Sequence, residues 1–331
     1  MMRNILFCGT PEFATSSLQT IFNYQKKLNY KLCGVVTIPD KPIGRGQTKQ
    51  KCAIKKLGEK LQLETYSPTD IRNIDFIKKI QSLELDLIIV VAFKKLPSIF
   101  FKIPKIGTIN LHASLLPQYR GAAPINWVLI NNEKETGLTT FFINKKIDTG
   151  DIILQSNVNI PNEWHVDDLH DFLMIESEKI IIKTIKKVFF EDFQVISQKK
   201  TNNKNLKLAP KLKKENYLIN NCFWETKKLQ KIYNFIRGMS PPGIKTQLFI
   251  QNNKIKITKN VIITRVGNYS TTIEEKRKKT QIIIKNNNII ISNYKESFHV
   301  KKLKTENGKE LTAKDFLNGF VNQKGQKLTF F

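Results

Sequence analysis

Cysteine is scarce in this chain, and the four present, Cys8, Cys33, Cys52 and Cys222, are scattered without paired spacing. That excludes a cysteine-based zinc site and a disulfide framework, leaving buried or incidental thiols. Long apolar runs are missing too. The longest, residues 87–93, falls far short of the ~20 residues a membrane helix needs. The apolar stretch before Gly9-Thr10-Pro11-Glu12 is too short for the core of a secretory signal. A cytoplasmic protein with no membrane contact is therefore expected. No Gly-x-Gly-x-x-Gly occurs, which argues against dinucleotide binding, although a glycine turn such as Gly9-Thr10-Pro11 can cradle phosphate.

Acids are few, 28 against 55 Lys and Arg, giving a net charge of +27. Such an excess points to a polyanionic partner such as nucleic acid. Lysine outnumbers arginine 48 to 7, and Asn and Ile are abundant, as an AT-rich coding sequence would produce, so part of the charge carries no message. Its distribution says more. Residues 1–200 carry a net +8, whereas residues 201–331 carry 27 cations against 8 acids, a net +19.

With 331 residues there is enough chain for two domains, each with its own core. The opening reads as a short buried strand (4–8), a turn, and a helix (12–24) with Phe13, Leu18, Ile21 and Phe22 on its apolar face. Further strands are expected at 31–37, 86–92, 107–111, 138–144 and 152–160, and helices at 53–61, 71–83, 124–130 and 166–190. Alternating strands and helices imply a mostly parallel, Rossmann-like α/β sheet covered by helices. The run Leu87-Ile88-Ile89-Val90-Val91 is apolar on both faces, as a central parallel strand must be. Beyond a polar, aperiodic linker at 196–208, short runs at 248–257, 261–266, 281–285, 289–292 and 298–303 suggest a small barrel or sandwich. The expected division is thus 1–195, a linker, and 209–331.

The densest chemistry lies in Asn110-Leu111-His112-Ala113-Ser114-Leu115-Leu116-Pro117-Gln118-Tyr119-Arg120-Gly121-Ala122-Ala123-Pro124. On a strand, residues i and i+2 face one side. Asn110 and His112 would then reach the carboxyl edge of the sheet together, where open α/β folds bind their ligands. An amide can donate to an oxygen gaining negative charge while an imidazole moves the proton of an attacking amine. The later segment Ile147-Asp148-Thr149-Gly150-Asp151 supplies an acid, Asp148, to orient that imidazole and favour its charged form. This is a plan for acyl or formyl transfer. Equally, a histidine near a strand end is commonly structural, Asn110 can cap a turn, and 148–151 can be an ordinary turn. His165, His170 and His299 read as surface or structural residues.

The motif Asn110 to Pro117, followed by Arg120-Gly121-Ala122-Ala123-Pro124 and Asp148-Thr149-Gly150-Asp151, closely resembles the signature of the folate-dependent formyltransferases. Three further segments are similar to members that formylate methionyl-tRNA: Gly9-Thr10-Pro11-Glu12-Phe13-Ala14, Pro39-Asp40-Lys41-Pro42-Ile43-Gly44-Arg45-Gly46, and Tyr119 to Ile125. The likeness continues through Ala209-Pro210-Lys211-Leu212 and Ile236-Arg237-Gly238-Met239-Ser240-Pro241 to Asp315-Phe316-Leu317-Asn318-Gly319. It departs from the family at Phe93-Lys94 and at Asn144-Lys145-Lys146, both in loops expected near folate.

The resemblance implies a Rossmann-like first domain, an OB-like β-barrel second domain, and formyl transfer from 10-formyltetrahydrofolate to methionine on initiator tRNA, without a metal. By resemblance, Asn110 is the oxyanion donor, His112 the proton-handling group and Asp148 its partner. Folate is expected near Val91, Ala92, Phe93, Ser114, Leu115, Leu116 and Pro117. Gly9, Thr10, Pro11, Phe13 and Arg120 are expected around the substrate, although packing beneath the helix is the more frequent role for a residue such as Phe13. The basic loop would enter the tRNA acceptor end through Arg45, with Lys41, Lys49 and Lys51 beside it. The alternatives are a formyltransferase acting on a small amine and a tRNA-binding protein that has lost catalysis. The expected state is a monomer.

Overall fold

The computed structural model describes residues 2–43, 48–198, 205–251, 256–271, 280–293, 295–320 and 327–329. Two compact units are formed, one by residues 1–121, 136–158 and 170–208, the other by residues 122–135, 159–169 and 209–331.

The first unit is built on a seven-stranded sheet with the order Ile152–Asn159, Glu135–Phe142, Gly107–His112, Leu87–Val91, Arg3–Gly9, Tyr30–Val36 and Thr65–Tyr66. The five strands from Gly107–His112 to Thr65–Tyr66 run parallel. Glu135–Phe142 turns back antiparallel, pairing Asn110 with Phe141 and His112 with Thr139. The α/β expectation therefore holds. The order in which successive strands are added reverses between the parallel neighbours Arg3–Gly9 and Leu87–Val91, which pair Gly9 with Val91. That is the topological switch point, where open sheets form a crevice beyond their carboxyl ends.

Leu87–Val91 is buried at every position. One sheet face packs Leu6, Cys8, Val36, Ile88 and Val90 against Ile77, Ile80, Phe100 and Phe101. On helix Val166–Phe190, Ser177 shares a 2.9 Å hydrogen bond with Ser17. On the same helix, Thr184 is 2.8 Å from Thr140 of the sheet. Buried hydroxyls of this kind must find partners, so the Thr184 pair fixes the helix on the sheet and the Ser177 pair fixes it against helix Thr15–Tyr24. The helix starts where the sequence says it should, with Asp167 and Asp168 in its first turn favouring the positive end of its dipole. Asn73 caps helix Ile74–Gln81 by accepting from Phe76 N–H at 3.0 Å, which starts it three residues later than the expected 71.

The second unit holds an antiparallel sheet in the order Gln281–Lys285, Asn288–Ser292, Ser297–Thr305, Lys256–Ser270, Ile244–Gln251 and Lys327–Thr329. Its two end strands approach one another, so the sheet is a nearly closed, OB-like barrel. Helix Leu229–Gly238 turns Leu229, Ile232, Tyr233 and Ile236 into the barrel core beside Trp224, Phe298 and Phe316. Arg237 is 1% exposed there. Its guanidinium donates to the carbonyls of Asn162 at 2.9 Å and Trp164 at 3.1 Å, and to Asn234 at 2.9 Å. His165 is fully buried. Its Nδ1 donates to the Glu163 carbonyl at 3.1 Å and its Nε2 accepts from Val266 N–H at 3.1 Å. Its role is structural, and burial pulls its pKa from 6.5 to about 4, with Arg265 adding to the effect. Among the described residues no helix is long and apolar enough to cross a membrane.

Candidate active site

Asn110 and His112 lie on one face of the strand Gly107–His112, as period two requires. Asn110 is half-buried, and its amide has no hydrogen-bond partner among the described residues. His112 is 6% exposed. Its Nε2 is 2.8 Å from the carbonyl oxygen of Tyr119. A carbonyl only accepts, so Nε2 carries a hydrogen and, in the neutral ring, Nδ1 is left with a free lone pair. That Nδ1 lies 3.8 Å from Asp148 Oδ2, too far for a hydrogen bond. The sequence reading expected Asp148 to orient the ring. In the structure the Tyr119 carbonyl makes the ring's hydrogen bond, and the Asp148 carboxylate stands on the opposite side of the ring at 3.8 Å.

Asp148 is itself held. Its Oδ2 accepts from Gly121 N–H at 2.9 Å. Around it, Lys146 N–H and Thr149 Oγ1 donate to Asn144 Oδ1 at 2.8 and 3.0 Å. Gly150 closes the loop so tightly that a Cβ there would stand 1.6 Å from the Phe142 carbonyl oxygen. Gln198, 3% exposed, donates to the carbonyl oxygens of Gly150 at 2.6 Å and Asp148 at 3.3 Å. It accepts from Arg120 Nη2 at 2.6 Å and Nε at 3.2 Å. Burial lowers the Arg120 pKa while the charge of Asp148 acts to raise it.

The turn after His112 is equally fixed. Thr139 Oγ1 donates to the Ser114 carbonyl at 2.6 Å and accepts from Leu116 N–H at 3.1 Å. Gln155 donates to the Leu116 carbonyl at 2.9 Å, and the Leu116–Pro117 peptide is cis. Ser114 is fully buried and gives its hydroxyl to the Gln118 carbonyl at 2.7 Å. Leu116 is buried, whereas Leu115 and Pro117 are half-buried. At the neighbouring strand end Val91 is buried, Ala92 is exposed and Phe93 packs into the sheet's apolar cluster. Gly9 ends its strand beside Val91, Thr10 is half-buried and Pro11 exposed. Phe13 is a core residue, 6% exposed, edge-on to His170 at 5.3 Å.

Three non-glycine residues on this rim adopt left-handed backbone: Ala92 at φ 48°, Tyr119 at φ 60° and Asp148 at φ 51°. Side chains seldom accept that conformation, and it concentrates where geometry serves a site. Lys49 and Lys51 are exposed, Lys51 pairing with Glu59 at 2.7 Å. Arg45 lies outside the described residues, and Lys41 belongs to a short strand, Lys41–Ile43, paired with Thr48–Gln50. Sequence reasoning missed Gln198, which it assigned to a linker, and the Tyr119 carbonyl, which no residue type advertises. Among the described residues no group of three or more His, Cys, Asp or Glu is arranged to hold a metal ion.

A Rossmann-type sheet with a topological switch point, and a His–Asp pair near the carboxyl end of one of its strands, suit an enzyme of the group-transfer class. Residues 3–185 match the formyl transferase family and residues 211–321 the formyl transferase C-terminal domain. The chain belongs to the formyl transferase family. It is 44% identical over 248 residues, 74% of each chain, to the methionyl-tRNA formyltransferase of Azobacteroides pseudotrichonymphae. It is 38% identical over 320 residues, 96% of each chain, to that of Thermodesulfovibrio yellowstonii. Among solved structures, the sugar 3N-formyl transferase WlaRD shares the fold, with a TM-score of 0.64 at 21% identity over 93% of this chain and all of that one.

Proposed function

We propose that this enzyme transfers the formyl group of 10-formyltetrahydrofolate to the amino nitrogen of methionine carried by initiator tRNA, giving formylmethionyl-tRNA for translation initiation. The observation that carries the reading is one strand face bearing an unengaged Asn110 amide and a His112 whose Nδ1 faces Asp148 at 3.8 Å. The methionine amine attacks the formyl carbon, a C–N bond forms, and the bond to folate N10 breaks. Asn110 donates to the formyl oxygen as it gains negative charge. His112 takes the amine's proton at Nδ1, and the carboxylate of Asp148 balances the imidazolium; the proton then passes to the departing folate nitrogen. The unsatisfied amide and the free lone pair suit an acyl oxygen and an amine, and the donor set offers nothing that calls for a metal.

Val91, Ala92, Phe93 and Ser114 to Pro117 shape the folate side of the crevice, chiefly through backbone, since Val91, Ser114 and Leu116 are buried. Gly9, Thr10, Pro11 and Arg120 border the methionine. Arg45, Lys41, Lys49 and Lys51, together with the basic residues beyond 208, bind tRNA phosphates and give a salt-sensitive affinity. Purified enzyme given 10-formyltetrahydrofolate, charged initiator tRNA and a competing aminosugar or small amine tests the substrate. Formylmethionyl-tRNA as the dominant product supports the reading. Preferential formylation of the small amine, or tRNA binding without turnover, overturns it.

A further inference from the structure

We propose that Gln198 is a positioning residue that sets the Asp148 loop against His112. The inference rests on the catalytic reading of Asp148 given above. Gln198 sits between the two stretches that match the family, 3–185 and 211–321, so no role comes to it from that likeness. Its segment is tied down next to the loop by the paired main-chain bonds of Ile152 and Ile196, both 2.8 Å. The amide then makes a two-sided clamp. One end accepts from the Arg120 guanidinium, whose neighbour Gly121 donates to the Asp148 carboxylate; the other end donates to the carbonyls of Asp148 and Gly150.

The result is a closed circuit, Asp148 to Gly121 to Arg120 to Gln198 and back to Asp148, with Gln198 as the member that needs both an acceptor and a donor. Only a carboxamide supplies both at this length. Asp148 has left-handed backbone and no hydrogen bond to His112 to hold it in place, so the clamp fixes the distance that the histidine feels. A misplacement on the order of 1 Å in such a pair is enough to cost ~100-fold in rate.

The full-length wild type and the variants Gln198→Leu, Gln198→Glu, Asp148→Asn and Asp148→Asn/Gln198→Leu are compared for kcat, KM of both substrates and thermal unfolding. Leucine removes both ends of the clamp. Glutamate has the same shape and keeps the Arg120 acceptor but faces the two carbonyls with a carboxylate, so it tests the donor end in a chain that folds. We expect kcat to fall roughly ten- to hundredfold in both Gln198 variants with KM for charged tRNA changed less than about threefold. The double variant should be no slower than Asp148→Asn, because a clamp acts only through what it positions. Near wild-type kcat in either folded Gln198 variant, or losses that multiply in the double variant, would overturn the inference while leaving Asp148's role intact. Wild-type turnover by Asp148→Asn would instead refute the catalytic reading, and this inference with it.

Discussion

Replacing Gly150 by alanine tests whether the Asp148 loop must keep its shape. The new methyl group would stand 1.6 Å from the Phe142 carbonyl oxygen and 2.8 Å from its carbon, both backbone atoms that no rotamer change can move. A tolerable carbon–oxygen approach is about 3.3 Å, so the loop must retreat by roughly 1.7 Å. Two hydrogen bonds stand in the way, Gln198 Nε2 to the Gly150 carbonyl at 2.6 Å and Phe142 N–H to the Asp151 carbonyl at 3.0 Å. Losing or stretching both, with residual overpacking, should cost about 2–4 kcal/mol of stability. Asp148, two residues away, would move with them. A shift of that size lowers turnover by about 100-fold. Urea unfolding gives the first quantity and single-turnover formylation at saturating substrates gives the second. Gly150→Ala with turnover within about twofold of wild type and an unchanged unfolding midpoint would refute the reasoning.

Three other perturbations probe separate parts of the molecule. Because His165 is held neutral with its pKa lowered from 6.5 to about 4, its contribution is fully present above pH 6.5. As pH falls from there toward 4 the unfolded chain takes up the proton first, removing about 3 kcal/mol; urea melts at pH 7.5 and 4.5 should show this, with a flatter pH dependence in His165→Gln. Arg237→Met removes the charged donor that the carbonyls of Asn162 and Trp164 and the Asn234 side chain share, and should destabilise the second unit by about 3 kcal/mol without altering KM for the formyl donor; a loss under about 1 kcal/mol in chemical unfolding would count against the staple. Arg45→Ala should raise KM for charged tRNA about tenfold and reduce the salt slope by about one, with KM for the formyl donor unchanged; equal changes in both KM values would remove its assigned role.

Local regularity decided which parts of the fold were legible in the sequence. Helix Val166–Phe190 carries acids in its first turn and an apolar period throughout, and its bounds coincide with the expected 166–190. Leu87–Val91 is apolar at every position and is a buried central strand. Lys256–Ser270, by contrast, forms one strand across residues expected to end one strand at 257 and form another at 261–266. Its lysines and asparagine break the alternation, and register shifts around Arg265 twist it against its partner. Helix Leu229–Gly238 has the spacing Leu229, Ile232, Tyr233, Ile236 but no side-chain cap at Lys228, so nothing in the sequence marks its start.

Within the site, period two alone puts Asn110 and His112 on one strand face, so that pairing was readable. The antiparallel return of Glu135–Phe142 was not, and neither was the Arg120–Gln198–Gly150 circuit, whose members lie up to 78 residues apart. A backbone carbonyl such as that of Tyr119 has no sequence signature at all.

The central claim is that His112 moves the proton in formyl transfer. Single-turnover formation of formylmethionyl-tRNA by wild type and His112→Ala, with tRNA and folate binding measured alongside, tests it directly. The account predicts a rate lower by about 100- to 10,000-fold with both affinities kept; a His112→Ala enzyme that formylates methionyl-tRNA at the wild-type rate would contradict it.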